Sequence, residues 1–240
     1  MPPPLYSVII PAYNEEQLLP GTLARLQEAM AAQAQPGEII VVDNNSDDRT
    51  AEIAARAGAR VVFEPVNQIS RARNTGAAAA KGQYLIFLDA DTELPPALLT
   101  EALGRLAAGR CCGGGATLDF DRPLSGLAAG HASLWTFWSR PIRLAAGSFM
   151  FCLREGFQAV GGFSEKVFAG EEIRFSRDLR AWGRGRNLAF EVITDPPVIT
   201  SSRKFRWYSS LQLLGTVLFF AIFPFAVRFR RLCSFWYLRK

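Results

Sequence analysis

The stretch Tyr84-Leu85-Ile86-Phe87-Leu88-Asp89-Ala90-Asp91 decides how the chain folds. Its five apolar residues in a row are too few for a buried helix. They read as a strand covered on both faces, the pattern of a parallel sheet packed between helices. Two carboxylates stand just past the end of that strand. Side chains at i and i+2 of an extended segment point the same way, so Asp89 and Asp91 are expected to reach one small volume. Oxygen donors with the rest of the shell open suit a hard cation, Mg2+ or Mn2+, that shares its coordination with substrate phosphates. Such an ion would neutralise a departing diphosphate. The competing reading is that both aspartates cap the turn into a helix beginning near Pro95.

Outward from this stretch, short apolar runs alternate with helical patterns. Ser7–Ile10, Glu38–Val42 and Arg60–Phe63 are expected strands. Leu18–Ala31, Arg49–Ala57 and Ser70–Ala80 are expected helices. Strands alternating with helices imply right-handed crossovers and a mainly parallel sheet. Ligands in such sheets sit beyond the carboxyl ends of the strands. Asp43 directly follows the second strand, so it is either a ligand for a base or ribose or a helix cap beside Asp47 and Asp48. Pro11-Ala12-Tyr13-Asn14-Glu15 follows the first strand at the same edge, where its bland role is a simple turn. Arg71 and Arg73 begin the Ser70–Ala80 helix, and cations there oppose the helix dipole. Either phosphate stands nearby or both arginines are solvated at the surface.

After residue 110 the pattern loosens. Cys112–Ala116 is glycine-rich, and Leu124–Trp138 has helical character. Phe149–Leu153 and Leu188–Ile193 read as strands, with Glu171–Trp182 helical between them. Glu171 and Glu172 at the start of that helix complement its dipole whatever else they do.

Charge divides the chain. Residues 201–240 hold eight Lys/Arg and no acid, whereas residues 1–200 hold 19 Lys/Arg against 22 Asp/Glu. The organisation expected is therefore an α/β domain over 1–200 and a basic, aromatic tail over 201–240. Trp207–Val227 is free of charge but diluted by Ser209, Ser210, Gln212, Gly215, Thr216 and Pro224. A spanning helix needs about 20 apolar residues, so an interfacial helix on a membrane fits better. A buried helix closing the domain competes with it, and nucleic acid is the least expected partner. Met1-Pro2-Pro3-Pro4 lacks the basic and apolar regions of a secretory signal. The four cysteines show no metal spacing and are expected to be reduced thiols.

Four stretches in this order resemble the family-two inverting glycosyltransferases of GT-A (Rossmann-like) fold: SVIIPAYNEE (7–16), IIVVDNNSDDRT (39–50), SRARNTGAAAAKGQYLIFLDADTEL (70–94) and GGFSEKVFAGEEIRF (161–175). The resemblance implies a nucleoside-diphosphate sugar as donor, UDP- or GDP-linked, with Mg2+ or Mn2+ as cofactor. It implies that Pro11, Tyr13, Glu15 and Asp43 line the nucleoside pocket, with Arg73 and Arg71 facing the nucleotide. Asp89 would contact ribose or metal, and Asp91 would ligate the metal. The family's acidic pair facing the acceptor falls on Glu171-Glu172, with Glu172 as the general base.

Departures from the family are specific. Glu172 stands where an aspartate is usual, and Asp43-Asn44 where many relatives have two aspartates. The single histidine, His131, lies in the variable middle and is expected to be structural. Arg177 to Trp182 only echoes the QxxRW motif of processive synthases, so polysaccharide synthesis is not expected. Together with the tail, these features predict transfer of sugar to a hydroxyl or lipid-linked acceptor at the cytoplasmic face of the cell membrane. The alternatives are a nucleotidyltransferase and a non-catalytic nucleotide-binding membrane protein. The first would want a glycine-rich phosphate cradle after the first strand, where this chain has Pro11–Glu15.

Overall fold

The computed structural model describes residues 3–122 and 147–203, together with 212, 215–216, 219–220, 222–233 and 237. The chain runs β1 (Tyr6–Ala12), α1 (Leu19–Ala31), β2 (Gly37–Asp43), α2 (Thr50–Arg56), β3 (Arg60–Phe63), α3 (Ile69–Ala79) and β4 (Tyr84–Leu88). It continues through β5 (Thr92–Glu93), α4 (Pro96–Ala107), β6 (Cys111–Phe120), β7 (Phe149–Leu153), α5 (Arg154–Val160), α6 (Glu171–Arg184) and β8 (Ala189–Thr200). A 3-10 helix covers Pro224–Arg228. Among the described residues, eight strands form one sheet in the order β3-β2-β1-β4-β7-β6-β8-β5.

The mainly parallel sheet expected from the alternating pattern is present. β1 runs parallel to β2 and β4, β2 to β3, and β6 to β8, while β7 opposes both β4 and β6, and β5 opposes β8. The carboxyl ends of β1, β2, β4, β6 and β8 therefore share one edge.

Period-two burial explains why β1 and β4 are apolar along most of their length. Val8, Ile10, Ile86 and Leu88 enter the core beneath α1 and α4, with Leu19, Leu23, Leu26, Leu98 and Leu99. Their alternates Ile9, Leu85 and Phe87 enter the opposite core, with Ala72, Phe157, Phe163 and Phe175. Both faces are covered, so a polar position there must find a partner, as Ser7 does with the Glu38 carboxylate and the Gly82 N–H. α3 lies close on the sheet because Gly76 and Ala72 face it: a Cβ on Gly76 would collide with the side chains of Ile9 and Val42.

The glycine-rich run after residue 110, expected as a loosening of the pattern, is instead the start of β6. Gly113 and Gly114 pair with Cys152 and Phe151 on one side and with Phe190 and Glu191 on the other. A side chain on Gly114 would meet the Glu191 carbonyl. Glycine allows close approach there, at the expense of the β-propensity that would have announced a strand. The short β5 and the α5 helix were likewise not anticipated.

All four cysteines are free and buried, as the composition suggested. The expected helix at 124–138, with Trp135, Trp138 and His131, lies outside the described residues. So does most of the tail. Among the described residues no helix is long and apolar enough to cross a membrane.

Candidate active site

Two charge clusters occupy the carboxyl edge of the sheet, and each holds one of the two aspartates after β4. Asp89 Oδ1 accepts from Arg73 Nη2 at 3.0 Å. Asp91 Oδ2 accepts from Arg203 Nη2 at 3.0 Å. The sheet register places Asp43 across from Ala12, and Ile9 across from Phe87, so Asp43, Asp89 and the turn after β1 lie along a common rim.

The turn after β1 is not a simple connector. Asn14 has φ 52°, its N–H donates to Ser46 Oγ at 3.1 Å, and its Oδ1 accepts from the Asp47 N–H at 2.8 Å. The Glu15 N–H donates to Thr50 Oγ1, and the Glu16 N–H to Asp48 Oδ2. These bonds clip the β1 turn to the β2 turn and leave Pro11 and Tyr13 half-buried at the rim. Asp43, which the sequence allowed as either ligand or cap, is buried and accepts from the Ser46 N–H at 3.1 Å. Asp48 takes the first N–H of α2, Thr50, at 2.9 Å.

Glu15 is 2% exposed, and both its carboxylate oxygens meet Arg203, at 2.8 and 2.7 Å. This fork-to-fork pair is the strong geometry for a guanidinium and a carboxylate. Arg203 reaches the rim because the chain after β8 is pinned there. The Ser201 N–H donates to the Asp91 carbonyl, and the Ser202 N–H to Asp121 Oδ1. Burial alone would pull the Arg203 pKa down, yet it stands above its ordinary value because Glu15 and Asp91 hold the charge.

The second cluster is centred on Arg73. Its Nη1 donates to Glu171 Oε1 at 2.9 Å, and its Nη2 also donates to the Gly147 carbonyl at 2.9 Å. The guanidinium stands 5.2 Å from the centre of the Phe163 ring. Arg73 and Glu171 are both buried. Removing one partner of such a pair leaves an uncompensated buried charge and costs about 3–5 kcal/mol.

Of the two readings of the arginines at the α3 N-terminus, the solvated one does not fit Arg73, which is buried. Carboxylates from neighbouring segments offset the unfavourable dipole. Arg71 is held differently, by Glu64 at 3.1 Å and Glu165 at 3.0 Å, half-buried on the flank of α3. That pairing ties it to the loop before α6 through Glu165.

The same loop is bound to α3 by two amides. Gln68 Nε2 donates to the carbonyls of Glu165 and Val167, both at 2.9 Å. Asn74 exchanges bonds with the Phe163 backbone, donating to its carbonyl and accepting its N–H, both at 2.9 Å. Sequence reasoning missed Gln68, Asn74, Glu64 and Glu165, whose partners are local polar types far apart in the chain. Gly170, at φ 72°, ends the loop and starts α6 with Glu171 and Glu172 in the first turn.

Glu172 is half-buried and forms no ion pair among the described residues. Its side chain lies along the backbone of Gly147, where a Cβ would stand 3.3 Å from Cγ. Burial first, and then the Glu171 charge, raise its pKa to about 7 against the lowering pull of Arg73. A carboxylate tuned near neutrality beside a polar rim is what general-base chemistry needs. Among the described residues no three His, Cys, Asp or Glu side chains form a metal cluster. Asp89 and Asp91 stand at the rim, each ion-paired with an arginine.

This arrangement of a parallel sheet with acidic strand ends and an acidic helix start defines a GT-A-like glycosyltransferase domain. Residues 7–152 match the Glycosyl transferase family 2 signature, and the chain belongs to that family. It is 38% identical over 117 residues to an undecaprenyl-phosphate 4-deoxy-4-formamido-L-arabinose transferase of Pseudomonas paraeruginosa, covering 44% of this chain and 33% of that one. It is 28% identical over 201 residues to glycosyltransferase AglE of Haloferax volcanii, covering 78% of this chain and 64% of that one. The chain thus spans about a third of the bacterial transferase and under two thirds of the archaeal one.

Among solved structures, the mannosyltransferase PcManGT from Pyrobaculum calidifontis, in complex with GDP-Man and Mn2+, superposes with TM-score 0.62 at 22% identity, over 84% of this chain and 57% of that one. S. aureus TarS 1-349 in complex with UDP-GlcNAc gives TM-score 0.64 at 20% identity, over 82% of this chain and 58% of that one. At these identities the likeness is one of fold.

Proposed function

We propose that the protein is an inverting glycosyltransferase that moves a sugar from a UDP- or GDP-linked donor to a hydroxyl or lipid-phosphate acceptor at the cytoplasmic membrane face. The observation that carries this reading is the sharing of one guanidinium, Arg73, by Asp89 at the donor rim and Glu171 beside the base candidate. On this reading donor and acceptor chemistry share a single site.

In this reading Pro11, Tyr13, Glu15 and Asp43 surround the nucleoside, and Arg73 stands behind the nucleotide. Arg71, tied to Glu64 and Glu165, supports the loop that carries the base. Glu172 takes the proton from the acceptor oxygen as that oxygen attacks the anomeric carbon. The new carbon–oxygen bond forms as the bond to the diphosphate breaks, and the nucleoside diphosphate leaves with the bonding pair.

Asp91 and Asp89, each ion-paired with an arginine, are the residues that would hold a hard divalent cation in this reading. They are oxygen donors on one segment, both partly accessible, with side chains 16% and 36% exposed. Their small number suits an ion that completes its shell with substrate oxygens. Such an ion, when bound, would supply charge neutralisation for the leaving diphosphate. Two solved structures of similar fold, a Pyrobaculum calidifontis mannosyltransferase and a Mycobacterium tuberculosis glucosyl-3-phosphoglycerate synthase, are complexes with Mn2+.

A membrane-proximal acceptor is supported by the described part of the tail. Ile222 and Phe225 are 66% and 60% exposed, and Phe223, Phe229 and Leu232 are exposed with them. Arg228, Arg230 and Arg231 are exposed on the same segment. Aromatic and basic side chains together suit the interface of an anionic bilayer. The Phe168 N–H donates to the Val227 carbonyl at 2.6 Å, which joins this segment to the loop before α6.

The test is thermal stability of the purified protein with UDP and with GDP, in Mn2+ and then in EDTA. One diphosphate is expected to stabilise the fold only with metal, by about 2.7 kcal/mol at a hundredfold excess over its Kd. Asp91→Ala is expected to remove that stabilisation while leaving the metal-free melting temperature close to wild type. Folded wild-type protein that responds to neither diphosphate would overturn the reading. Activity, in turn, is expected to fall as pH drops through about 7, because a protonated Glu172 cannot accept a proton. A rate that stays flat from pH 8 to pH 5.5 would remove Glu172 from the mechanism.

A further inference from the structure

The adjacent acids Glu171 and Glu172 are chemically alike, and the structure separates their tasks. Glu171 is buried and bonded to Arg73, whereas Glu172 has no cationic side chain within ion-pair distance among the described residues. Resting on the glycosyltransferase reading, we propose that Glu171 serves as the fixed counter-ion of Arg73, and that Arg73 is a positioning residue setting Glu172 against the donor rim.

Four segments meet at this one side chain. Arg73 comes from α3, Asp89 from the end of β4, Glu171 from the first turn of α6, and Gly147 from the approach to β7. The planar fork of arginine fixes the angles between its partners, which a lysine ammonium does not. Nη2 is shared between Asp89 and the Gly147 carbonyl, and Nη1 holds Glu171. Phe163 closes the face of the guanidinium, and the Asp89 N–H donates to the Ser148 carbonyl at 3.0 Å.

Gly147 matters twice over. Its carbonyl is held by Arg73, and its Cα faces the Glu172 carboxyl group, a Cβ there falling 3.4 Å from Cδ. Arg73 thus controls both sides of the base: the backbone wall against Glu172, through Gly147, and the start of the helix that carries it, through Glu171. A shift of about 1 Å at such a contact costs on the order of a hundredfold in rate.

The charged groups facing Glu172 are Glu171 on its own helix, Arg73 from α3 and Asp89 from β4. On the C-terminal segment, Cys233 and Tyr237 respond to the Glu171 charge. Glu171 and Asp89 favour a protonated Glu172, and Arg73 favours an ionised one. Removing the Glu171 charge therefore lowers the pH at which Glu172 ionises.

The experiment compares wild type, Glu171→Gln, Arg73→Lys and Glu172→Gln. Turnover of UDP-glucose, GDP-mannose and UDP-N-acetylglucosamine is followed with undecaprenyl phosphate in micelles, as nucleoside diphosphate release against pH. Carboxyl carbon-13 NMR of labelled glutamate follows Glu172 directly, whether or not any donor turns over. Glu171→Gln is expected to lower kcat about tenfold and to move the acid limb, and the Glu172 resonance midpoint, to lower pH. Arg73→Lys keeps the charge and loses the fork, so kcat is expected to fall about a hundredfold with the limb near its wild-type position.

A Glu171→Gln protein as inactive as Glu172→Gln would make Glu171 the base and overturn the assignment. So would an unmoved Glu172 midpoint. Should Glu171→Gln fail to melt cooperatively, Arg73→Lys decides alone, and wild-type kcat in that variant sinks the positioning role. Full activity in Glu172→Gln would instead overturn the underlying mechanism, a result distinct from either failure.

Discussion

Replacing Glu172 by Gln lowers kcat by about 10²–10⁴-fold and leaves stabilisation by the nucleoside diphosphate in place. Glutamine keeps the size of the side chain and its fit beside Gly147, but it cannot take a proton. Glu172 makes no ion pair among the described residues, so its loss strands no buried partner. Stability should hold or rise, and the sign follows from linkage. The folded protein holds the Glu172 proton up to about 7, above the ordinary carboxylate value. Folding is therefore favoured by this group at low pH, and that contribution is lost as pH rises from the unfolded value through about 7. Glu172→Gln removes this loss, so its melting temperature should gain on wild type as pH climbs from 5 to 8. Steady-state kinetics and thermal melts on the same preparations check both halves. Wild-type kcat in the variant would end the assignment of a base to this position.

The second large effect is on stability. Phe87→Ala is expected to cost about 3–5 kcal/mol, as for other fully buried aromatics. Phe87 is fully buried, with its ring 4.9 Å from Phe163, 5.5 Å from Phe157 and 6.5 Å from Phe175, centre to centre. These rings come from β4, α5, the loop before α6 and α6 itself, so a cavity there loosens four segments at once. Phe163 also covers Arg73, and Phe87 is two residues from Asp89. Metal-dependent diphosphate binding should weaken alongside stability, by about tenfold on the ordinary scale of coupled neighbours. Chemical denaturation with an unchanged m-value would read the first effect. Diphosphate titration of protein that is still folded would read the second. A loss under 1 kcal/mol would mean that the aromatic cluster adds little to the site's rigidity.

Strong local patterns made the first half of the chain legible. β1, β2 and β4 are buried on both faces, so burial writes continuous apolar runs, and the polar residues after each run mark the rim. That rule put Asp43, Asp89, Asp91 and the turn holding Glu15 at the rim, where the structure has them. The rule says nothing about which cation each acid holds. Arg203 lies 188 positions from Glu15 and 112 from Asp91, and no periodicity connects them. Arg73 was noticed because a cation at a helix start is unfavourable, but its true partners come from β4 and α6. The β6 strand escaped because close packing against β7 and β8 demands glycine, which carries no strand signal. The acidic pair on α6 was legible only through resemblance to a family, since two glutamates at a helix N-terminus satisfy the dipole whatever they do.

Arg203 lies three residues past Thr200, the last residue of the domain as the sequence divided it, yet both of its ion pairs are with the β1 turn and the β4 rim. The C-terminal segment therefore starts at the rim of the sheet, held there by Glu15 and Asp91. Trimming the protein after Thr200 would strip Glu15 and Asp91 of their counter-charge along with the tail. Nor is the tail an interchangeable address label to be grafted from one transferase onto another. Any graft would have to bring its own arginine at that position, and the junction would be better drawn after Arg203 than before it.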